Sequence, residues 1–222
     1  MATVLVIGAS RGIGLEFARQ YAEAGDRVIA TARSDEGLAR LSALGARALR
    51  LDVTDPARMS SLGWELDGEK LDVALYVAGV YSTGSATEPP SRQAFDRVLH
   101  ANVLGAMQAI PQVAPMVEAA EGRFGFLTSG MARIAGVSSS FGWTYRVSKA
   151  ALNMAVAAAQ NDYPRALMVA IDPGWVQTDM GGPSAPLPAA DSVRAMRATL
   201  AALTPSQRGR FIHYDGRPYE GW

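Results

Sequence analysis

The chain has 222 residues, 49% of them hydrophobic and 19% charged, which is enough to bury one sizeable core and excludes disordered or collagen-like classes. Lys plus Arg and Asp plus Glu each number 21, so the formal net charge is zero and nothing favours sequence-independent binding to nucleic acid or an acidic membrane. There is no Cys, and His100 and His213 are the only histidines, so disulfides, thiol catalysis, thiolate metal sites and His-rich metal centres are excluded. No basic leader precedes the first glycine, and the Ala-rich run at 150–159 is too short for a membrane span and contains Asn153. The expectation is a cytoplasmic protein with a small-molecule partner, no nucleic acid and no membrane.

In chain order, the apolar run at 4–7 predicts a strand, 13–24 a helix, 28–32 a strand, 34–44 a helix and 48–51 a strand. The alternation continues with a helix at 56–66, a strand at 73–77, a helix at 92–117, a strand at 124–128, a helix at 145–161 and a strand at 167–171. Runs such as Val4-Leu5-Val6-Ile7 suit strands buried on both faces, and helix-length connections suit right-handed crossovers. This predicts an α/β fold in one domain, residues 1–222: a Rossmann-type doubly wound parallel sheet in three α/β/α layers. Two segments break the rhythm, a small-residue loop at 130–142 and a Gly/Pro-rich stretch at 174–190 with the composition of a mobile substrate loop. The tail offers a short strand at 210–214 and then aromatic residues.

Gly8-Ala9-Ser10-Arg11-Gly12-Ile13-Gly14 follows the first strand and opens the first helix, the context that makes a glycine pattern a phosphate site. One glycine permits positive φ, the next admits a pyrophosphate close to the backbone, and the last lets helix and strand pack; the helix N-terminus supplies amide donors. An ordinary strand-to-helix turn is the competing account. At the end of the second strand stand Ala32-Arg33 with no acid, and Arg11 lies in the glycine turn. Two guanidiniums favour the 2′-phosphate of NADP(H), although Asp35 and Glu36 just beyond leave NAD(H) open.

With its Gly-x-x-x-Gly-x-Gly spacing the sequence resembles the short-chain dehydrogenase/reductase family, and further landmarks recur in order over nearly the whole chain. They are Leu51-Asp52-Val53, Ala78-Gly79, Asn102-Val103, Ser129, Tyr145-x-x-x-Lys149 and Pro173-Gly174. The run Gly174-Trp175-Val176-Gln177-Thr178-Asp179-Met180-Gly181-Gly182 looks especially like the compact carbonyl-reductase and C-factor-like branch. The resemblance implies adenine contacts at Asp52 and Val53, cofactor contacts at Ala78 and Gly79, and nicotinamide contacts at Pro173, Gly174, Val176 and Thr178. Asp52 equally reads as a strand end and Pro173-Gly174 as a turn.

Tyr145 and Lys149, four apart on a helix, share a face. An ammonium about 6 Å from a phenol favours the phenolate by about 3 kcal/mol at an effective dielectric of about 20, so the spacing predicts a lowered Tyr145 pKa and a usable proton donor. By resemblance, Ser129 hydrogen-bonds the substrate oxygen, Asn102 holds a water beside the lysine, and Lys149 also contacts the cofactor ribose. Thr128 precedes Ser129 and leaves an offset of one open. Candidate pocket walls are Met131, Val137, Phe141, Trp143, Trp175 and Met180, which suit an apolar or aromatic carbonyl compound and are equally ordinary core types.

Two positions depart from the family pattern: Ile7 stands where a Thr usually precedes the first glycine, and Tyr76-Val77 replace an Asn pair. The implied activity is reversible NADP(H)-dependent carbonyl reduction without a metal. The rival from another class is an NADP(H)-binding signalling or sensor protein with incidental turnover. An extended sugar-nucleotide epimerase is disfavoured by length. Self-association as a homodimer or homotetramer is implied through the helices at 92–108 and 145–161, where Ala150, Ala151, Ala155 and Ala158 form a small face that equally suits packing on the sheet.

Overall fold

The computed structural model describes residues 1–222, with seven strands in one parallel sheet. These are β1 (Thr3–Ile7), β2 (Arg27–Ala32), β3 (Arg47–Arg50), β4 (Val73–Tyr76), β5 (Arg123–Leu127), β6 (Leu167–Asp172) and, last in the chain, β9 (Phe211–His213). Their order is β3-β2-β1-β4-β5-β6-β9, and every neighbouring pair is parallel. The chain reverses its direction of growth between β1 and β4, which opens a crevice at the carboxyl ends of those strands.

Strand periodicity divides the core between the two faces. Leu5 and Ile7 of β1 and Met168 and Ala170 of β6 join one buried cluster, while Val4, Val6, Val169 and Ile171 join the other. The first cluster is covered by α3 (Pro56–Glu65), α5 (Gly105–Ala119) and α6 (Trp143–Ala159), the second by α1 (Gly12–Glu23), α2 (Asp35–Ala43) and α7 (Ala189–Ala202). Caps mark the helix starts: Ser34 accepts from Gly37 N–H, Asp55 from Ala57 and Arg58 N–H, and Ser91 from Ala94 N–H at the start of α4 (Arg92–Leu99).

Three expectations require correction. The helix expected at 92–117 is interrupted between α4 and α5 by a π-helical turn, His100–Leu104, in which Gly105 N–H bonds to the His100 carbonyl five residues back. Helix α7 was not anticipated because its buried stripe, Ser192, Val193, Met196, Thr199 and Leu200, includes two hydroxyl residues that conceal the 3.6-residue period. The stretch at 174–190 is more ordered than a plain loop. Its strands β7 (Val176–Gln177) and β8 (Leu187–Pro188) pair with each other, Gly182 N–H bonds Thr178 O, and α7 begins at Ala189.

On α6, Leu152, Asn153 and Val156 are buried, whereas Val147 and Met154 are exposed and Ala151, Ala155 and Ala158 lie on the accessible side. The small face therefore points away from the sheet. No helix is long and apolar enough to cross a membrane.

Candidate active site

The glycine turn between β1 and α1 is built by close approach. Gly8 has φ +89°, and a Cβ there would stand 2.6 Å from the Ala78 backbone nitrogen, so the end of β1 and the segment after β4 touch directly. A side chain on Gly14 would strike the Gly8 carbonyl, which is how α1 comes down onto β1. The hydroxyl that Ile7 cannot supply comes from β2: Thr31 Oγ1 accepts Gly8 N–H at 3.0 Å and Thr31 O accepts Ala9 N–H at 2.8 Å. Unlike α2, α3 and α4, α1 starts without a side-chain cap or an acid in its first turn. Its positive end is unneutralised, and this donor set fits a pyrophosphate.

The two arginines separate. Arg33 lies 3.8 Å from Asp52, while Arg11 reaches Asp179 at 2.9 Å, tying the glycine turn to the stretch after β7. Thr178 covers the same turn, with its methyl 3.4 Å from where a Gly12 Cβ would be. Arg33 remains at the end of β2, and Arg50 of β3 donates to Arg33 O at 2.8 Å and pairs with Asp35, one of the two acids that leave NAD(H) open. Burial raises the Asp52 pKa, but the Thr54 hydroxyl and amide and then Arg33 outweigh it and hold the carboxyl below its usual range. Ser10 packs beside Gly37 at the start of α2, and Val53 is buried beside Gly105.

Catalytic candidates meet at the carboxyl ends of β4, β5 and β6. Tyr145 and Lys149 share one face of α6, with Lys149 Nζ 5.7 Å from the Tyr145 ring centre, as the spacing predicts. Lys149 Nζ donates to Leu127 O at 2.8 Å. At the end of β5 the two hydroxyls have different neighbours: the buried Thr128 hydroxyl donates to Lys149 O at 3.3 Å, whereas the Ser129 hydroxyl stands beside the Tyr145 phenol. Ser129 Oγ also accepts Met131 N–H at 3.1 Å and so starts the short helical turn Gly130–Ala132.

Asn102 sits in the π turn and clamps the segment after β4. Its Oδ1 accepts Val80 N–H at 2.8 Å, and its Nδ2 donates to Val80 O and to Ser148 Oγ, both at 2.9 Å. Ser148 Oγ in turn donates to Tyr145 O at 2.7 Å. Both amide hydrogens of Asn102 are thus spent on protein, which leaves the side chain an Oδ1 lone pair for any further partner. Gly79 lies against both groups: a Cβ there would stand 3.1 Å from Asn102 Oδ1 and 3.4 Å from Lys149 Nζ.

The electrostatic expectation for Tyr145 is overturned. Burial pushes the phenol up to about 12, Ser129 offsets only part of this, and Asp172 and Tyr81 add to the rise. Burial also brings Lys149 down to about 8, so the ammonium meant to lower Tyr145 is itself weakened. A single charge pair on one helix face carries no desolvation, which here outweighs it.

Around the phenol, Tyr81 packs edge-on against the Tyr145 ring with centres 4.9 Å apart. Tyr81 Oη and the Met131 methyl both come within 3.1 Å of where a Gly142 Cβ would be, so Met131 belongs to this wall. Tyr81 was missed because only the fold carries the segment after β4 to α6. Phe141, Val137, Trp175 and Met180 are half-exposed, and Trp175 Nε1 donates to Gly181 O at 2.8 Å. Trp143, two residues before Tyr145, is turned to another side of α6 and does not share its face. Val176 is buried in β7, and Thr178 Oγ1 accepts Gly181 N–H at 3.1 Å, shaping the turn after Pro173-Gly174. No group of three or more His, Asp or Glu is placed to hold a metal.

A parallel sheet with a glycine turn at its switch point and a Ser-Tyr-Lys cluster at its carboxyl edge defines a dinucleotide-type oxidoreductase fold. Residues 2–186 match the short chain dehydrogenase family, and the chain belongs to that family. It is 39% identical over 149 residues to the C-signal protein of Myxococcus xanthus, covering 66% of this chain and 90% of the relative. It is 32% identical to 1-hydroxy-2-glutathionyl-2-methyl-3-butene dehydrogenase of Rhodococcus sp. (strain AD45), covering 97% and 98% of the two chains. Among solved structures it resembles the NADPH-bound carbonyl reductase from chicken fatty liver, with a TM-score of 0.89, 26% identity and coverage of 100% and 99%.

Proposed function

We propose that the protein is an NADP(H)-dependent oxidoreductase that reduces a ketone or aldehyde carbonyl and, in reverse, oxidises the alcohol. The observation that carries this is the Ser129, Tyr145 and Lys149 cluster at the sheet edge, facing the segment that the glycine turn contacts. The α1 N-terminus with Gly8, Ser10, Arg11, Gly12, Ile13 and Gly14 would hold the pyrophosphate, Arg33 the 2′-phosphate, and Asp52 and Val53 the adenine. Ala78, Gly79, Lys149, Pro173, Gly174, Val176 and Thr178 would hold the nicotinamide half. When bound, this cofactor supplies or accepts the hydride.

Ser129 donates a hydrogen bond to the carbonyl oxygen and fixes it beside Tyr145. Tyr145 gives that oxygen its proton during reduction and recovers it from the hydroxyl during oxidation, and the Lys149 ammonium stabilises the phenolate left behind. Asn102 keeps Val80 and α6 in register, so that Gly79 and Lys149 stay adjacent. Met131 and Tyr81 beside the phenol, with the half-exposed Phe141, Val137, Trp175 and Met180 on the flanking segments, suit aromatic or aliphatic carbonyl compounds. The accessible faces of the π turn, α5 and α6, with Leu104, Met107, Val147 and Met154 exposed, support self-association between copies.

The test is a fluorescence titration with NADPH and NADH, followed by cofactor oxidation against a panel of aromatic and aliphatic ketones and aldehydes. Binding with turnover supports the reading, and binding of neither dinucleotide refutes it. Cofactor choice rests on Arg33. Arg33→Ala is expected to weaken NADPH about tenfold, the loss of one charge-assisted contact, while NADH affinity stays within about twofold. Equal losses for both cofactors would remove Arg33 from 2′-phosphate recognition.

The C-signal similarity favours a second reading, an NADP(H)-binding signalling or sensor protein whose turnover is incidental. It requires Tyr145→Phe to leave the biological role intact, which the oxidoreductase reading forbids.

A further inference from the structure

Residues 214–222 lie outside the cofactor and catalytic sets, yet they fold back from β9 onto the carboxyl edge of the sheet. His213 N–H bonds Arg217 O at 2.8 Å, Ile212 bridges to Pro218, and Tyr219 N–H bonds Phe211 O at 3.1 Å, so the returning segment pairs along β9. Stacking fastens it there, with the Tyr219 ring on Phe211 and on His213 at centre distances of 4.0 and 3.7 Å. The loop after Ser129 is tied to the same tail, because Arg133 donates to Glu220 O at 3.0 Å and Ala135 N–H to Trp222 O at 3.2 Å.

Two tyrosines of this tail each meet a glycine of the catalytic edge. A Cβ on Gly174 would stand 3.1 Å from the Tyr214 ring, and one on Gly130 would stand 2.9 Å from Tyr219 Oη and 3.0 Å from Asp172 Oδ2. Gly130 follows Ser129, and Gly174 opens the run to Val176 and Thr178. Asp172, the last residue of β6 and buried, joins the two sides. Its Oδ1 accepts Gly174 N–H at 3.1 Å, and its Oδ2 accepts Tyr219 O–H at 2.5 Å, the length of a charge-assisted bond. Helix α7 completes the frame: Ser192 donates to Pro173 O at 2.7 Å and Thr199 to Tyr214 O at 2.8 Å.

We propose that Tyr219 is a positioning residue for hydride transfer: its hydroxyl, seated against Asp172 and Gly130, fixes Ser129 relative to the segment at 173–178 and so sets where the substrate carbonyl stands against the nicotinamide. The register of β5 with β6 runs out at Leu127 and Ile171. Past that pair the chain diverges, into the Gly130–Ala132 turn on one side and Pro173-Gly174 on the other, and the Tyr219–Asp172 bond joins the two branches where the ladder no longer does. The joint is compact because Gly130 has no side chain to fill it. The stacked ring holds the hydroxyl in place, so the joint depends on the returning tail and not on the two branches themselves. A misplacement of about 1 Å between reacting groups costs about a hundredfold in rate, so a slackened joint here is read directly in turnover.

This inference rests on the oxidoreductase reading, and its test separates their failures. Tyr219→Phe removes the hydroxyl and keeps the stacked ring. Its readouts are kcat with NADPH and a prochiral aryl ketone, counted per NADPH-binding site, the enantiomer ratio of the alcohol formed, and amide hydrogen exchange of the protein alone. Expected are a kcat about tenfold lower, NADPH affinity within about twofold, and an enantiomer ratio at least about threefold lower. Exchange should quicken in 129–135 and 173–178 together. A merely structural loss lowers the number of binding sites and leaves kcat per site and the enantiomer ratio unchanged. Gly130→Ala enters the joint from the loop side and is expected to give the same changes; it decides the matter if Tyr219→Phe melts more than about 10 °C below wild type. A kcat and an enantiomer ratio both within about twofold of wild type, or faster exchange confined to 214–222, would overturn the proposal. If wild type reduces no ketone, the oxidoreductase reading fails and the exchange measurement decides on its own whether Tyr219 couples the two segments.

Discussion

Tyr145→Phe is expected to lower turnover about a thousandfold while NADPH affinity stays within about twofold, measured by steady-state cofactor oxidation and fluorescence titration on one preparation. The phenol oxygen is the atom at stake. Tyr145 is buried, packs against Tyr81, and has Ser129 beside its hydroxyl, so removing that oxygen leaves ring packing intact and deletes only the proton donor. The loss should appear in kcat and kcat/KM alike, the signature of an interaction made in the transition state. A variant retaining more than about a tenth of wild-type kcat would show that another group delivers the proton. The elevated Tyr145 pKa, about 12 in this environment, makes the site a weak acid unless bound partners add positive charge, which is why Lys149 and the groups that modulate it matter.

How much was legible in the sequence depended on whether the signal was local. Strands such as Val4-Leu5-Val6-Ile7 could be read because continuous apolar runs have few other uses, and Tyr145 with Lys149 because a spacing of four implies one helix face. Helix α7 escaped because Ser192 and Thr199 occupy buried positions, Thr199 having its hydroxyl bonded to Tyr214 O at 2.8 Å across the fold. Thr31 takes over a role looked for at Ile7 because β1 and β2 are adjacent, a fact of sheet order that no single segment carries. The direction of the Tyr145 shift is illegible in the sequence for the same reason: desolvation, and an aspartate 27 residues downstream, act only once the chain has folded. Asp172 and Tyr219, 47 residues apart, meet only through β9 and the returning tail.

Tyr76, one of the positions that depart from the family pattern, leads to the second large effect. Its side chain is fully buried and its hydroxyl donates to Ala101 O at 2.7 Å, inside the π turn that carries Asn102. Gly105 closes that turn, and a Cβ there would collide with the Tyr76 hydroxyl and lie 2.9 Å from the Val53 carbonyl oxygen. Neither obstacle yields easily: one is a packed phenol with a hydrogen bond to keep, the other is backbone. Gly105→Ala is therefore expected to cost about 3 kcal/mol through overpacking, lowering the melting temperature by roughly 6–12 °C. Because the displaced turn holds Asn102, and Asn102 holds Val80 and Ser148, kcat should fall about tenfold or more at unchanged protein concentration. Tyr76→Phe alone leaves Ala101 O without this donor and should cost about 1–2 kcal/mol. In Gly105→Ala/Tyr76→Phe the clash with the hydroxyl is gone, so the double variant should be more stable than the sum of the single losses predicts. Additive losses in thermal melts would mean that Gly105 and Tyr76 do not share the space beneath the turn, and a Gly105→Ala protein melting within about 1 °C of wild type would refute the close packing itself.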